Sequence, residues 1–150
     1  MKNTTLRIDH IKLENYRCFK KLQVDFHPEL TVIAARNGYG KTAVLDAVAV
    51  ALGPYLSVFD HGKGVRFKNT DVRMINVSDT LVVEMEAQYP LTMKARGFAG
   101  ESCTEWTREL SGAKGRTTQA SAKPLTSFGE KLQKEIRLPP NEMGPLPYCH

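Results

Sequence analysis

No stretch of the chain approaches the roughly 20 consecutive apolar residues of a membrane span, and the opening residues Met1-Lys2-Asn3-Thr4-Thr5 carry no secretory apolar core. Cysteine is scarce: Cys18, Cys103 and Cys149 are odd in number, far apart and never paired as CxxC. That excludes a disulfide framework or a cysteine-zinc site and fits reduced thiols in a cytoplasmic protein. His10, His27, His61 and His150 are equally dispersed, so a metal cluster is not expected. Internal repeats and low-complexity tracts are also missing. What remains is an ordinary soluble composition, 41% hydrophobic and 25% charged, in 150 residues, about one domain of chain.

The informative segment is Ala35-Arg36-Asn37-Gly38-Tyr39-Gly40-Lys41-Thr42. A phosphate-binding loop asks for Gly, four free positions, then Gly-Lys-Ser/Thr; here only the opening glycine is missing, replaced by Ala35. Gly38 and Gly40, without a Cβ, let the chain turn tightly and aim N–H groups at an anion. A following helix adds its unpaired N-terminal amides and the positive end of its dipole. Lys41 reaches phosphate as a point charge and Thr42 offers a hydroxyl to Mg²⁺. Ala35 costs little if its φ is negative and about 1 kcal/mol if it is positive.

The surroundings suit that chemistry. Leu30-Thr31-Val32-Ile33 reads as a short apolar strand entering the loop. From Thr42 to Leu52, Val44, Leu45, Val48 and Leu52 recur at helical spacing with Ala47 and Ala51 beside them, and Gly53-Pro54 reads as a helix stop. Two strands precede this unit: Leu6–Leu13, with a bulge expected near Asp9-His10, and an alternation through Leu22, Val24 and Phe26. Their spacing suits antiparallel pairing. Downstream, strands are expected at 81–89, 91–98 and 103–110, then a helix near 119–137 carried by Leu125, Phe128, Leu132 and Ile136, which Pro139-Pro140 ends. Leu146–His150 reads as the start of another strand.

Charge is uneven. Residues 1–75 hold all of the net +5. Lys63, Arg66, Lys68 and Arg73 surround Phe67 in a basic stretch that reads either as a solvated loop or as a contact for a nucleic-acid backbone.

Ile11-Lys12-Leu13-Glu14-Asn15-Tyr16-Arg17-Cys18-Phe19, then Leu30–Ile33, then Asn37 through Ala47, resemble the opening of SMC/RecF-type ABC ATPase heads, and in particular bacterial AAA-type ATP-binding proteins of the virulence and phage-defence kind, Septu- and retron-associated ATPases among them. The resemblance covers residues 6–53. It implies an α/β P-loop NTPase fold, an ABC-type head lobe with a mixed sheet around the P-loop helix and an antiparallel β subdomain. The expected organisation is one head domain, present in its N-terminal part only: a P-loop core over about 1–54, a β subdomain over about 55–116 and the helix at 119–137.

The resemblance makes Arg36, Asn37, Gly38, Tyr39, Gly40, Lys41 and Thr42 the ATP site, with Lys41 the catalytic cation and Thr42 the Mg²⁺ ligand, and brings Arg17 near the nucleotide. Asp46 is read as structural. Gln88 and Leu110-Ser111-Gly112-Ala113-Lys114 superficially match the Q-loop and the signature segment, but precede further strands or fall in a turn. No apolar run ending in Asp-Glu follows. ATP hydrolysis is therefore expected of the complete protein, paired as two heads and acting with DNA or an effector nuclease in repair or phage defence, and not of this segment alone. The alternative is a nucleotide-sensing or nucleic-acid-binding module without hydrolysis.

Overall fold

The computed structural model describes residues 6–77 and 83–137. Its first strand, β1 (Leu6–Tyr16), explains why the apolar residues there alternate imperfectly: the register against its neighbour shifts between Ile8 and His10. Leu6 is buried before the shift, and Ile11 and Leu13, on the opposite parity, after it. The bulge expected near Asp9-His10 is present. A two-residue turn leads into β2 (Phe19–Asp25), antiparallel to β1 with Tyr16 opposite Phe19. With β5 (Leu91–Ala99) and β6 (Ser102–Leu110), they form a four-stranded sheet ordered β2-β1-β5-β6, antiparallel at every pairing. This sheet takes strands from both sides of residue 54, so it crosses the expected boundary between core and β subdomain.

The sheet's inner face buries Ile11, Leu13, Leu91, Met93, Ala95, Trp106 and Leu110. Two helices cover it, α1 (Lys41–Leu56) and α2 (Lys123–Ile136), giving the layered α/β arrangement in which each apolar face finds another. A 3-10 turn at Ala120–Ala122 leads into α2, as the helix expected at 119–137. Between the helices run a 3-10 turn (Asn69–Asp71) and a separate ribbon of β3 (Met74–Asn76) and β4 (Met85–Ala87).

Several expectations change. Leu30–Ile33 forms no strand: no described residue pairs with it, and Leu30 and Val32 are 72% and 78% exposed. An apolar, β-branched run becomes a strand only where a neighbour takes its hydrogen bonds. Of the strand expected at 81–89 only Met85–Ala87 forms, residues 81 and 82 lying outside the described residues, and β3 had no clear pattern to announce it. Pro139-Pro140 and Leu146–His150 also lie outside them. On α1 the buried side is Ala43, Val44, Ala47, Val50 and Ala51, while Leu45 is exposed and Val48 and Leu52 are half-buried. The helix is apolar on nearly every side, so periodicity could not pick the packed face.

Gly53-Pro54 does not stop α1, which continues to Leu56. Pro54 lacks the N–H that would bond the Val50 carbonyl, and that oxygen instead accepts Arg108 Nη1 at 2.6 Å. The same nitrogen donates to Val65 O at 3.0 Å, and Trp106 Nε1 donates to Ala51 O at 3.0 Å. Gly53 permits this close approach: a Cβ there would lie 2.2 Å from Val65 O and 2.4 Å from Arg108 Nη1.

Helix propensity alone makes Gly53→Ala stabilising by about 1 kcal/mol. The contacts reverse the sign, and we expect a loss of about 1–3 kcal/mol from overpacking, read as a lower urea midpoint. Gly112→Ala, with nothing within 4 Å of its Cβ position, should change stability by less than about 0.5 kcal/mol.

Candidate functional site

The candidate loop runs from the exposed 30–35 segment into the first residue of α1. Gly38 and Gly40 have φ of 84° and 85°, the left-handed region that costs other L-residues about 1–2 kcal/mol. Gly40 is also the N-cap of α1 and provides no side-chain cap, so the helix's first amides have no intrahelical acceptor. A Cβ on Gly40 would meet Phe19 Cζ at 2.4 Å and Cys18 Sγ at 3.2 Å. The tip of the β1–β2 hairpin therefore presses directly on the loop. Ala35 is not among the positive-φ residues, so alanine is accommodated there without strain.

Loop and hairpin tip enclose a cavity of about 360 Å³. Asn37, Gly38, Gly40, Lys41 and Thr42 line it from the loop and helix, Arg17 and Cys18 from the hairpin. Arg36 and Tyr39 are not brought in: both are exposed and outside the lining, joined only by a turn bond from Tyr39 N to Arg36 O at 3.3 Å. Lys41 Nζ folds back over the loop, donating to Ala35 O and, at 3.1 Å, to Arg36 O. Its charge thus already sits at the cavity mouth, held by neutral acceptors that an anion can outcompete. No carboxylate lines this cavity among the described residues. A second cleft, of about 200 Å³, is lined mainly by Leu6, Ile8, Phe26, Leu30, Val48 and Leu52, with Arg7, His27, Glu29 and Thr31 on its polar side.

Arg17 is at the cavity wall, but its guanidinium is engaged. Nη1 donates to Asp46 Oδ2 at 2.7 Å, and Nε and Nη2 donate to Asp71 Oδ1 at 2.9 and 2.8 Å. Its own N–H donates to Asp71 O at 2.7 Å. Burial works against its charge, and the two carboxylates more than offset that, holding its pKa above the usual value. Arg17 has φ 49°, a strained conformation these bonds over-determine. Asp46 is structural, as expected, through this contact. Asp71 is also the cap of its 3-10 turn, accepting Lys68 N at 2.9 Å.

Behind Arg17 lies a smaller cavity, about 140 Å³, shared with Tyr16, Arg66 and Lys68. The Tyr16 hydroxyl is buried there with no hydrogen-bond partner among the described residues. Burial pushes its pKa up to about 12, Arg17 opposing and Asp71 and Asp46 adding. Residue spacing did not point to Asp71 or Cys18 at this site; Asp71 arrives from 54 residues away. Gln88 does not line the loop cavity, its N–H bonded to Arg73 O in line with the β3–β4 ribbon. Ser111–Lys114 is a turn, not a helix start. Among the described residues no group of His, Cys, Asp and Glu is arranged to hold a metal, and no helix is long and apolar enough to cross a membrane.

A loop bracketed by left-handed glycines, opening onto a bare helix N-terminus with a lysine at its first turn, is the arrangement of a P-loop fold. Residues 10–142 match the AAA domain model, and the chain belongs to that family. It is 30% identical over 94 residues to the DNA replication and repair protein RecF of Staphylococcus epidermidis, covering 59% of this chain and 23% of RecF. It is 44% identical over 43 residues to Structural maintenance of chromosomes protein 6B of Arabidopsis thaliana, 29% of this chain and 4% of that one. The chain thus spans about a quarter or less of these relatives. A solved SMC ATPase, described for its ATP-driven dimerisation and DNA-stimulated activation, superposes with a TM-score of 0.52 at 14% identity, over 90% of this chain and 93% of its own. The fold is that of an SMC-type ATPase head.

Two outcomes are expected of the Arg17 knot. Arg17→Ala strands the buried Asp71 carboxylate and should cost about 1–3 kcal/mol, whereas Asp46→Asn, on a half-exposed partner, should cost under about 1 kcal/mol; urea denaturation reads both. The Tyr16 phenol is neutral in folded and unfolded chains below pH 10, but between 10 and about 12 only the unfolded chain ionises. Stability should therefore fall as pH rises through that window, and Tyr16→Phe should remove that part of the fall.

Proposed function

We propose that the chain is the ATP-binding lobe of an SMC/RecF-type ATPase and that residues 37–42 with the start of α1 hold the nucleotide's phosphates. The observation that carries this reading is the conjunction at one cavity of two left-handed glycines, an uncapped helix N-terminus and Lys41. Backbone amides of the loop and first helical turn cradle the phosphate oxygens. Lys41 leaves the Ala35 and Arg36 carbonyls and turns its ammonium to the β- and γ-phosphates. Arg17 shapes the wall with its charge balanced by Asp46 and Asp71, acting as a positioning residue.

The Thr42 hydroxyl makes no hydrogen bond among the described residues and stands at the first helical turn, which suits a magnesium ion carried in by the nucleotide. When bound, that ion would neutralise charge on the phosphate oxygens. Because no carboxylate among the described residues lines the cavity, we assign this lobe binding, and assign orientation of the attacking water to a carboxylate from another segment or a second head. ATP-dependent pairing of two heads, acting on DNA or on an effector nuclease in a repair or phage-defence assembly, is the wider setting we propose.

Titration of a fluorescent ATP analogue, with turnover measured separately, tests the assignment. Binding should be Mg²⁺-dependent and fall by about 10-fold or more in Lys41→Ala, as expected for losing a charged hydrogen bond worth roughly 1.5–3 kcal/mol. Thr42→Ala should weaken binding only when Mg²⁺ is present. Undiminished affinity in Lys41→Ala would show that the nucleotide sits elsewhere.

A further inference from the structure

Of the two left-handed glycines in the loop, only Gly40 is packed. Nothing lies within 4 Å of a Cβ built on Gly38. The same atom on Gly40 would meet Cys18 Sγ at 3.2 Å and Phe19 Cε2 at 2.8 Å, with Phe19 Cζ nearer still. The edge of the Phe19 ring thus fills the space where a side chain at position 40 would begin. The ring is held from behind, because Phe19 opens β2 opposite Tyr16, is half-buried and packs on the core.

The loop has few bonds of its own. Among the described residues, Lys41 Nζ donates to Ala35 O and Arg36 O, and Tyr39 N donates to Arg36 O at 3.3 Å. The Tyr39 side chain is 67% exposed. On the proposed function, on which this step rests, phosphate draws Lys41 away from both carbonyls. One long turn bond then remains, and a segment with two glycines has many other conformations open to it. The Phe19 ring, with Cys18 beside it, still fixes Gly40 from outside the loop. That glycine sets the start of α1: its carbonyl accepts the bond from Val44 N at 3.1 Å, and its pose aims the unpaired amides that follow.

We infer that Phe19 is a positioning residue for phosphate binding, its ring wedging Gly40 into the left-handed pose that keeps those amides aimed into the loop cavity. Phe19 is not part of the cavity lining, so it acts without touching the ligand. Its contribution is preorganisation, since apparent affinity scales with the fraction of molecules whose loop already has the competent shape.

Titration of the full chain with a fluorescent ATP analogue and Mg²⁺, together with amide exchange followed by NMR, tests the wedge. Both are read where circular dichroism shows parent and variant folded. Phe19→Ala should bind about 10-fold more weakly, the loss expected if the competent fraction falls to about a tenth. Without nucleotide, its Val44 amide should exchange about 10-fold faster while amides in the last turn of α1 keep the parent rates. A ring that only stabilised the fold would speed all of these amides together. Phe19→Leu keeps apolar bulk at the contact, should restore part of the affinity, and serves where Phe19→Ala does not fold.

Gly40→Ala supplies a cross-check. In the parent its methyl group collides with the ring, and in Phe19→Ala it has room. Both substitutions act on one loop pose, so their affinity losses should not multiply in the double variant. Unchanged affinity in folded Phe19→Ala, an unchanged Val44 rate, or losses that multiply would overturn the inference. Full affinity in Phe19→Ala beside lost affinity in Lys41→Ala would sink the wedge and leave the proposed site standing. A parent chain that binds no nucleotide would sink both.

Discussion

Arg17 is the knot on which the geometry around the loop depends. One guanidinium joins the tip of the β1–β2 hairpin to α1 through Asp46 and to the 69–71 turn through Asp71. Those segments do not follow each other in sequence, and the hairpin tip is also what presses Phe19 and Cys18 against Gly40. The price is a left-handed backbone at a residue with a long side chain, about 1–2 kcal/mol. The Asp71 contact offsets most of it because Asp71 is nearly buried, at 7% side-chain exposure, and water screens that pair little. The Asp46 contact, half in solvent, contributes less. A rigid loop mouth follows from a side chain that sequence alone places at the end of an ordinary strand.

Arg108 solves a different problem with the same group. It is fully buried on β6 and pairs with no carboxylate among the described residues, yet its Nη1 bonds two backbone carbonyls, Val50 O and Val65 O. The helix would otherwise end where Pro54 removes a donor. Supplying that donor from the sheet carries α1 one further turn and seats Tyr55 beside Phe59 and Phe128 of α2. Leaving a charge there with neutral acceptors keeps its pKa depressed. Arg66, which adds to that depression, belongs to the basic stretch around Phe67.

What the sequence made legible was local. The bulge in β1, strands β5 and β6, the α2 stripe and the loop Asn37–Thr42 all follow from spacing or from a residue's own backbone preference, and the structure has each of these elements. Gly38 and Gly40 were read as turn glycines for the reason their φ values confirm. What failed to show was everything that needs a partner. Leu30–Ile33 has strand composition but no described strand to pair with. Gly53-Pro54 has the composition of a stop, and a stop is averted by an arginine more than fifty residues away. Arg17 was placed near the site, but its two carboxylates, and the exclusion of Arg36 and Tyr39 from the cavity, depend on how distant segments meet.

The loop cavity and the basic stretch are joined through Asp71. Lys68 belongs to that stretch while its N–H donates to Asp71 Oδ2, and Asp71 Oδ1 holds Arg17 at the cavity wall. Displacing the 63–68 segment would therefore loosen the carboxylate that fixes Arg17. A loosened Arg17 can relax its left-handed backbone, and its freed guanidinium then lies beside the position assigned to phosphate. Strain of about 1–2 kcal/mol set against ion pairs of similar size makes this balance close.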